Sequence, residues 1–519
     1  MVTKFPNTIK QVSQLYKSRQ LRVSDMIDKT YQQIQDKSRL NAFVTVQERA
    51  KLDQQINESQ ERHEKGNQLS ELDGVPIAIK DNILVKELPS TAASRILQNF
   101  TPQVDATVIK KLKAAGAIIV GKTNMDEFGM GSLGTYGYDQ KKIVRNPIDS
   151  DYIAGGSSSG SAAATKSQQS VVSLGTDTGG SVSYPAHCCG LYSMKPSYGR
   201  LSRYGQILYS SSNDVIGPMT NSAEDLEVMF NIMQGQDSND SNCIDFSKIH
   251  NIRDQNRITN SDYSIDNKQL RVGIVREFDI EELDDRNRNI QNTLQDIFKD
   301  KEIKMVDISI PLIKYALPFY FTLVPSEASS NLSRYDGLKY GYQIPIGLKE
   351  NQSQKQDLYD YIERIRSEAF GLNVKRRVLL GNFLLSSRFS DFNEKVIEAQ
   401  KVRRLLIDQY CKTFEQNNLD FIISPVSIGI EPPKIDEVLN SSNSATKNPV
   451  YEYKMDYYTA LPNSLGIPAI TLPVHEDRPK YKFPSSFMLQ GYFGEDYHLL
   501  KIAKLIDKEL SARNINVNQ

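Results

Sequence analysis

Gly74-Val75-Pro76-Ile77-Ala78-Ile79-Lys80-Asp81-Asn82-Ile83-Leu84 carries the fold signal of this chain. The run is short and apolar, which gives a strand over 75–84 holding one lysine. Before it, from residue 23 to about 65, Met26, Ile27, Tyr31 and Ile34 recur at three-to-four spacing, so that stretch is expected to be helical. After it, residues 106–115 place Val108, Ile109 and Leu112 on one helical face and run through Gly116 into a strand over 117–120. Helix and strand in turn indicate an α/β architecture with covered strands. The same reading expects strands over 171–174, 270–275, 303–308, 421–424 and 467–474, and helices over 289–298 and 394–414. The small residues of 159–169 permit a helix.

At 519 residues the chain exceeds one ordinary core. A helical N-terminal region, 1–70, and one large domain, 71–519, are expected, with polar insertions near 234–268, 348–356 and 438–448 that pack no core and carry no chemistry. The 63 Lys+Arg balance the 63 Asp+Glu, which removes any general pull toward a phosphate backbone. Cys188, Cys189, Cys243 and Cys411 have neither C-x-x-C nor zinc spacing and read as free thiols, with no metal site. No apolar run approaches the roughly 20 residues of a membrane span. The first 24 residues carry Lys4, Lys10, Lys17, Arg19 and Arg22 and no acid, a bias compatible with organelle targeting. The spacing of Ile9, Val12 and Leu15 also suits a surface helix of the mature protein.

The chemistry lies in two small-residue segments, Gly155-Gly156-Ser157-Ser158-Ser159-Gly160-Ser161 and Thr176-Asp177-Thr178-Gly179-Gly180-Ser181. Such segments let a backbone approach a substrate closely, and consecutive N–H groups of Thr178, Gly179 and Gly180 can form an oxyanion hole with Ser181, which would be both nucleophile and part of the hole. A serine hydroxyl needs a base. Of His63, His187, His250, His475 and His498 only His187 is near in sequence, whereas Lys80 ends an apolar run and burial would make it neutral. Taken singly, Lys80 is also a snorkelling lysine, Ser157 a helix cap and Ser181 a loop serine. Gly156-Ser157-Ser158-Ser159-Gly160 fits G-x-S-x-G, which makes Ser158 the competing nucleophile, but that elbow needs a preceding strand and a late histidine. His187-Cys188-Cys189 reads as packing beside the loop, and Asp126-Glu127 as a helix start.

Together these segments resemble the core of the amidase signature family. The resemblance implies a mixed twisted β-sheet covered by helices on both faces. It also implies a Ser-Ser-Lys triad of Lys80, a bridging Ser157 held by a cis peptide, and the nucleophile Ser181. Further matching stretches are Gly121-Lys122-Thr123-Asn124-Met125-Asp126-Glu127-Phe128, Lys195-Pro196-Ser197-Tyr198-Gly199-Arg200, Ser326-Glu327-Ala328-Ser329-Ser330-Asn331-Leu332, Arg334-Tyr335-Asp336-Gly337 and Ala399-Gln400-Lys401-Val402-Arg403. They extend the likeness over nearly the whole chain, toward the glutamine-hydrolysing subunits of tRNA-dependent amidotransferases. By that likeness Arg377 would take the α-carboxylate of glutamine and Asp456 its α-ammonium, with Tyr320 a further contact. Two partner subunits are implied. One would receive the ammonia and use ATP and Mg to convert Glu-tRNA(Gln) to Gln-tRNA(Gln), and the other, small, would clamp the pair. This chain would need no cofactor and would meet tRNA mainly through its partner. A stand-alone amidase for another carboxamide is the alternative, and a non-enzymatic scaffold a third reading. Family habit, the polar insertions and the basic N-terminus suggest a mitochondrion, with a bacterial-type cytoplasm as the alternative. Three departures stand out: Ser159 for a glycine, Ser183 for an arginine, and Phe483-Pro484-Ser485-Ser486-Phe487 for the usual P-I-G-L-Q.

Overall fold

The computed structural model describes residues 5–137, 139, 142–249, 253, 257, 265, 269–344, 358–386, 392–440, 449–474 and 481–517. Within them one mixed sheet is formed by β1 (Phe43–Val46), β2 (Pro76–Lys80), β3 (Ile118–Thr123), β4 (Val172–Asp177), β5 (Tyr192–Lys195), β6 (Val215–Thr220), β7 (Arg271–Val275), β8 (Lys304–Ile308), β9 (Phe421–Pro425), β10 (Ala469–Val474) and β11 (Ser485–Gln490). Their order is β1-β3-β2-β4-β6-β5-β10-β11-β9-β7-β8. β2 runs parallel to β3 and β4, and β7 parallel to β8 and β9; the other neighbours are antiparallel.

Side chains alternate across a strand, so a strand covered on both faces must be apolar throughout. β2 behaves in this way. Ile77 and Ile79 enter a cluster with Ile109, Leu112, Phe230 and Leu500, from the helices Thr107–Ala114, Ala223–Met233 and Asp496–Val517. Ala78 points the other way, into a cluster with Ala162, Ala163, Ala164 and Ala186 from the helices Ser159–Lys166 and Ser183–Cys189. The second face is built of small residues because its helix lies almost on the strands: a Cβ at Gly160 would overlap the Ala42 carbonyl. The close approach also lets hydroxyls bond across the layers, Ser161 Oγ donating to the Leu174 carbonyl at 2.8 Å and Thr165 Oγ1 to Ser173 Oγ at 2.8 Å. This helix starts immediately after Ser157-Ser158, above the C-terminal ends of β2 and β4.

Most expected elements occur within a few residues of their sequence positions. The helical reading of 23–65 is corrected: the helices Val23–Asp36 and Asp53–Lys65 are separated by β1, which pairs with the edge of β3. Four residues, three half-buried and one exposed, are too few to interrupt a helical periodicity visibly. The N-terminal helix Ile9–Lys17 buries Ile9 and Val12 in the same cluster as β2. Strands β5, β6 and β11 had no counterpart in the sequence reading. β6 carries Gly217 and Pro218 inside it and β11 opens with two serines, so neither has an apolar strand signature.

The insertion near 234–268 does more than decorate. Asp240, Cys243 and Phe246 are buried, and Asp240 pairs with Arg203 at 3.3 Å. Of the other two, 348–356 lies wholly outside the described residues, as does 441–448 of the third, whose first residue, Val438, is buried. His250 and His475 also lie outside the described residues.

Candidate active site

β2 ends at Lys80 and its parallel neighbour β4 ends at Thr176-Asp177, the strand ends at which open α/β sheets place ligands. Lys80 is fully buried and its Nζ lies 2.8 Å from Ser157 Oγ, 2.8 Å from Ser158 Oγ and 3.1 Å from the Thr176 carbonyl oxygen. Burial lowers the lysine to about 7, against the opposing pull of Asp177, Asp126 and Asp214. A neutral amine has two N–H donors and one lone pair. The Thr176 carbonyl can only accept, and the Ser158 hydroxyl is itself committed to that carbonyl at 3.2 Å, so these two take the N–H groups. The lone pair is left for the Ser157 O–H.

The peptide bond Gly156–Ser157 is cis. Asp126 braces this turn, since its N–H donates to the Ser157 carbonyl at 3.2 Å and its carboxylate accepts the N–H groups of Gly134 and Tyr136 at 3.0 and 2.9 Å. A Cβ at Gly156 would overlap that carboxylate, so only glycine fits. Burial raises Asp126 to about 6. Glu127 does serve a helix start, although a distant one: it accepts the N–H of Gly371, which caps the helix Leu372–Leu385, at 2.7 Å.

Ser181 follows a loop held by the carboxylate of Asp177, which accepts N–H groups from Gly180 at 2.6 Å, Val182 at 2.6 Å and Ser183 at 3.3 Å. This corrects one expectation: the Gly180 N–H is already bound to Asp177, which removes it from the oxyanion hole. The N–H groups of Gly179 and of Ser181 itself carry no hydrogen bond among the described residues, and Thr178 is tied through its hydroxyl to Asp214 at 2.6 Å. Gly180 has φ +127°, a glycine conformation, and a Cβ there would strike Thr459. The loop is therefore fixed without an arginine at position 183. Asp177→Ala is expected to lower kcat for amide hydrolysis by about a hundredfold with little change in KM, measured by steady-state ammonia release, because loss of three anchors misplaces the nucleophile.

The Ser158 elbow is excluded by geometry. No strand leads into it, and its hydroxyl is fully buried against Gly175 and the Thr176 carbonyl. Late in the chain His498 is bonded to Asp420, while His187 contacts Ser486 and the Gly429 carbonyl. Burial lowers His187 to about 4. The Ser159 hydroxyl, at one of the sequence departures, has no hydrogen-bond partner among the described residues.

Tyr320, Arg377 and Asp456 converge beside this loop. The Tyr320 hydroxyl lies so close to Gly179 that any Cβ there would overlap it, and the same phenol is influenced by Tyr209, Asp456, Arg377 and Asp177. Asp456 accepts the Ser132 hydroxyl at 2.8 and 2.9 Å, and burial raises its carboxyl well above the usual range. Arg377 lies beside Tyr209, where its charge opposes the effect of burial on the phenol, and stands 3.7 Å from Glu452. Sequence reasoning missed Asp177, Asp214, Ser132, Tyr209 and Glu452. For Asp177 a signal existed, a carboxylate just before a Gly-Gly turn. The Ser132–Glu452 and Ser132–Asp456 contacts join residues more than 300 positions apart and leave no local trace.

Residues 25–500 match the model of the family described as Amidase. The chain belongs to that family. A Glutamyl-tRNA(Gln) amidotransferase subunit of Fusobacterium nucleatum is 36% identical over 98% of this chain and 97% of its own length. Its namesake in Archaeoglobus fulgidus is 38% identical over 87% of this chain and 88% of its own. The crystal structure of the like-named subunit from Thermotoga maritima aligns with a TM-score of 0.71 at 28% identity, covering 98% of this chain and 96% of that one.

Proposed function

We propose that this chain is the glutamine-hydrolysing subunit of a glutamyl-tRNA(Gln) amidotransferase, releasing ammonia through a Ser-Ser-Lys triad. The observation that carries the proposal is the fully buried Lys80, whose Nζ lies 2.8 Å from Ser157 Oγ in a chain that also gathers Arg377, Asp456 and Tyr320 beside the Ser181 loop. Ser157 passes its proton to Lys80 and takes that of Ser181, whose Oγ attacks the glutamine carboxamide carbon. The N–H groups of Gly179 and Ser181, with Thr178 beside them, receive the oxyanion. As the C–N bond breaks, Ser157 returns a proton to the leaving nitrogen, which departs as ammonia and leaves a γ-glutamyl ester on Ser181. Water then cleaves the ester by the same proton route, giving glutamate.

Arg377 offers a fork for the α-carboxylate and Asp456 a carboxyl for the α-ammonium. The extent of likeness to relatives named as subunits of that amidotransferase supports partner subunits that accept the ammonia and handle ATP, Mg and tRNA. The reading is tested with Arg377→Ala: KM for L-glutamine is expected to rise about a hundredfold, while kcat/KM for butyramide, which has no head group, changes less than about threefold. Equal effects on both amides would favour the stand-alone amidase reading.

A further inference from the structure

Glu452 has no role in the reaction as written, yet it lies among the groups that would hold the substrate. It is 1% exposed. Its Oε1 accepts the Ser132 N–H at 2.8 Å and its Oε2 accepts Asn373 Nδ2 at 3.3 Å, while Arg377 Nη2 is 3.7 Å from Oε1. Ser132 also donates its hydroxyl to Asp456, so one loop residue ties two carboxyl groups side by side. Asn373 and Arg377 are one turn apart on the helix Leu372–Leu385. Arg377 Nε is buried and has no hydrogen-bond partner among the described residues.

Two consequences follow from these contacts. Glu452 is anchored by donors other than Arg377, so it stays in place when the guanidinium engages another anion. At 3.7 Å it balances the arginine's charge without occupying the fork, and an unsatisfied N–H remains for an incoming carboxylate. An uncompensated buried guanidinium would attract any anion. With Glu452 present, a head group bearing both charges leaves the balance of the pocket unchanged. One bearing only a carboxylate adds surplus negative charge beside Glu452.

We propose that Glu452 is a specificity-determining residue, balancing Arg377 so that the pocket accepts an amide whose head group carries both ammonium and carboxylate and rejects one carrying the carboxylate alone. The inference rests on the glutamine reading of the site. Its test compares L-glutamine with glutaramate, the same molecule without its amino group, on the native full-length chain and on Glu452→Gln. The variant is expected to lower the ratio of kcat/KM for glutamine over glutaramate by about tenfold or more, through KM, with kcat for each substrate within about threefold of native. Glu452→Asp, which keeps the charge, should return the ratio toward the native value. Asn373→Ser, which removes one anchor, should shift it in the same direction as Glu452→Gln and serves if that variant is unfolded by circular dichroism. A ratio unchanged within about twofold, or an equal fall in kcat for both substrates at constant KM, overturns the inference. A native chain with no preference for glutamine over butyramide overturns the glutamine reading and this inference with it. A native preference that Glu452→Gln leaves intact overturns this inference alone.

Discussion

Ser181→Ala is expected to lower the rate of ammonia release from L-glutamine by at least about 10³-fold, since in the proposed mechanism nucleophile, relay and base act as one unit. The loop geometry explains why the loss should fall on kcat. Ser181 is held by the main chain: Asp177 fixes the amides on either side of it, and the Ser158 N–H donates to the Ser181 carbonyl at 3.2 Å. Removing one oxygen from a position 9% exposed disturbs none of these bonds. L-glutamine should therefore still bind, and a stopped-flow or calorimetric Kd within about threefold of the native KM is expected, provided that chemistry is slow relative to release. Retention of near-normal turnover would remove Ser181 from the mechanism.

Lys80→Met is expected to produce a loss of similar size by a different route, and to add a signature in pH. Methionine fills much of the same volume without a charge, which limits the packing penalty, but it cannot accept the Ser157 proton. Ser157, Ser158 and the Thr176 carbonyl each lose a partner in a fully buried site, so a fall in stability is expected alongside a kcat loss of about 10³-fold. In the proposed mechanism the working form is the neutral amine, whose conjugate acid burial lowers to about 7. Below that pH the lysine is protonated and cannot act as a base, so kcat should fall as pH is lowered through about 7, roughly tenfold per unit, and level off above it. A residual rate in Lys80→Met that lacks this acid limb would tie the limb to Lys80. An acid limb that persists unchanged would assign it to another group, such as Asp126, a buried acid raised to about 6.

The centre of the fold was legible because its signals are local. β2, β3 and β4 are buried throughout and carry short apolar stretches, 76–79, 118–120 and 171–172, and the small residues of 155–165 announce close packing before any partner is known. Lys80, Ser157 and Ser181 stood out for the same reason, each in a short segment of unusual composition. The two ends of β4 and the loop after it were less legible. That Gly180 gives its N–H to Asp177 depends on a carboxylate rotamer and not on residue type.

The head-group pocket was the least accessible from sequence. Arg377 and Asp456 could be named by likeness, but nothing in Pro449–Met455 marks Glu452 as the residue that faces Arg377, and Ser132 reads as an ordinary loop serine. The matching stretches outside the core acquire physical roles only in three dimensions. Glu327 accepts Ser210 and Ser212 hydroxyls at 2.8 and 2.6 Å, and Asn331 donates to the Tyr209 carbonyl at 3.2 Å, so the helix Ala316–Leu332 that carries both fixes the loop that brings Tyr209 to Arg377 and Asp214 to Thr178. Lys122, buried 3.4 Å from Asp81, donates to Ser90 at 2.6 Å and steadies the turn that leaves β2.

The most direct test is to find the atom that carries the acyl group. The native chain is mixed with labelled L-glutamine, quenched in acid within the first turnovers, digested and analysed by tandem mass spectrometry. The result expected is a γ-glutamyl ester on the peptide containing Thr178-Gly179-Gly180-Ser181, with fragmentation locating it on Ser181 and no adduct in Ser181→Ala. An adduct on Ser157, Ser158, Cys188 or any other residue would contradict the account.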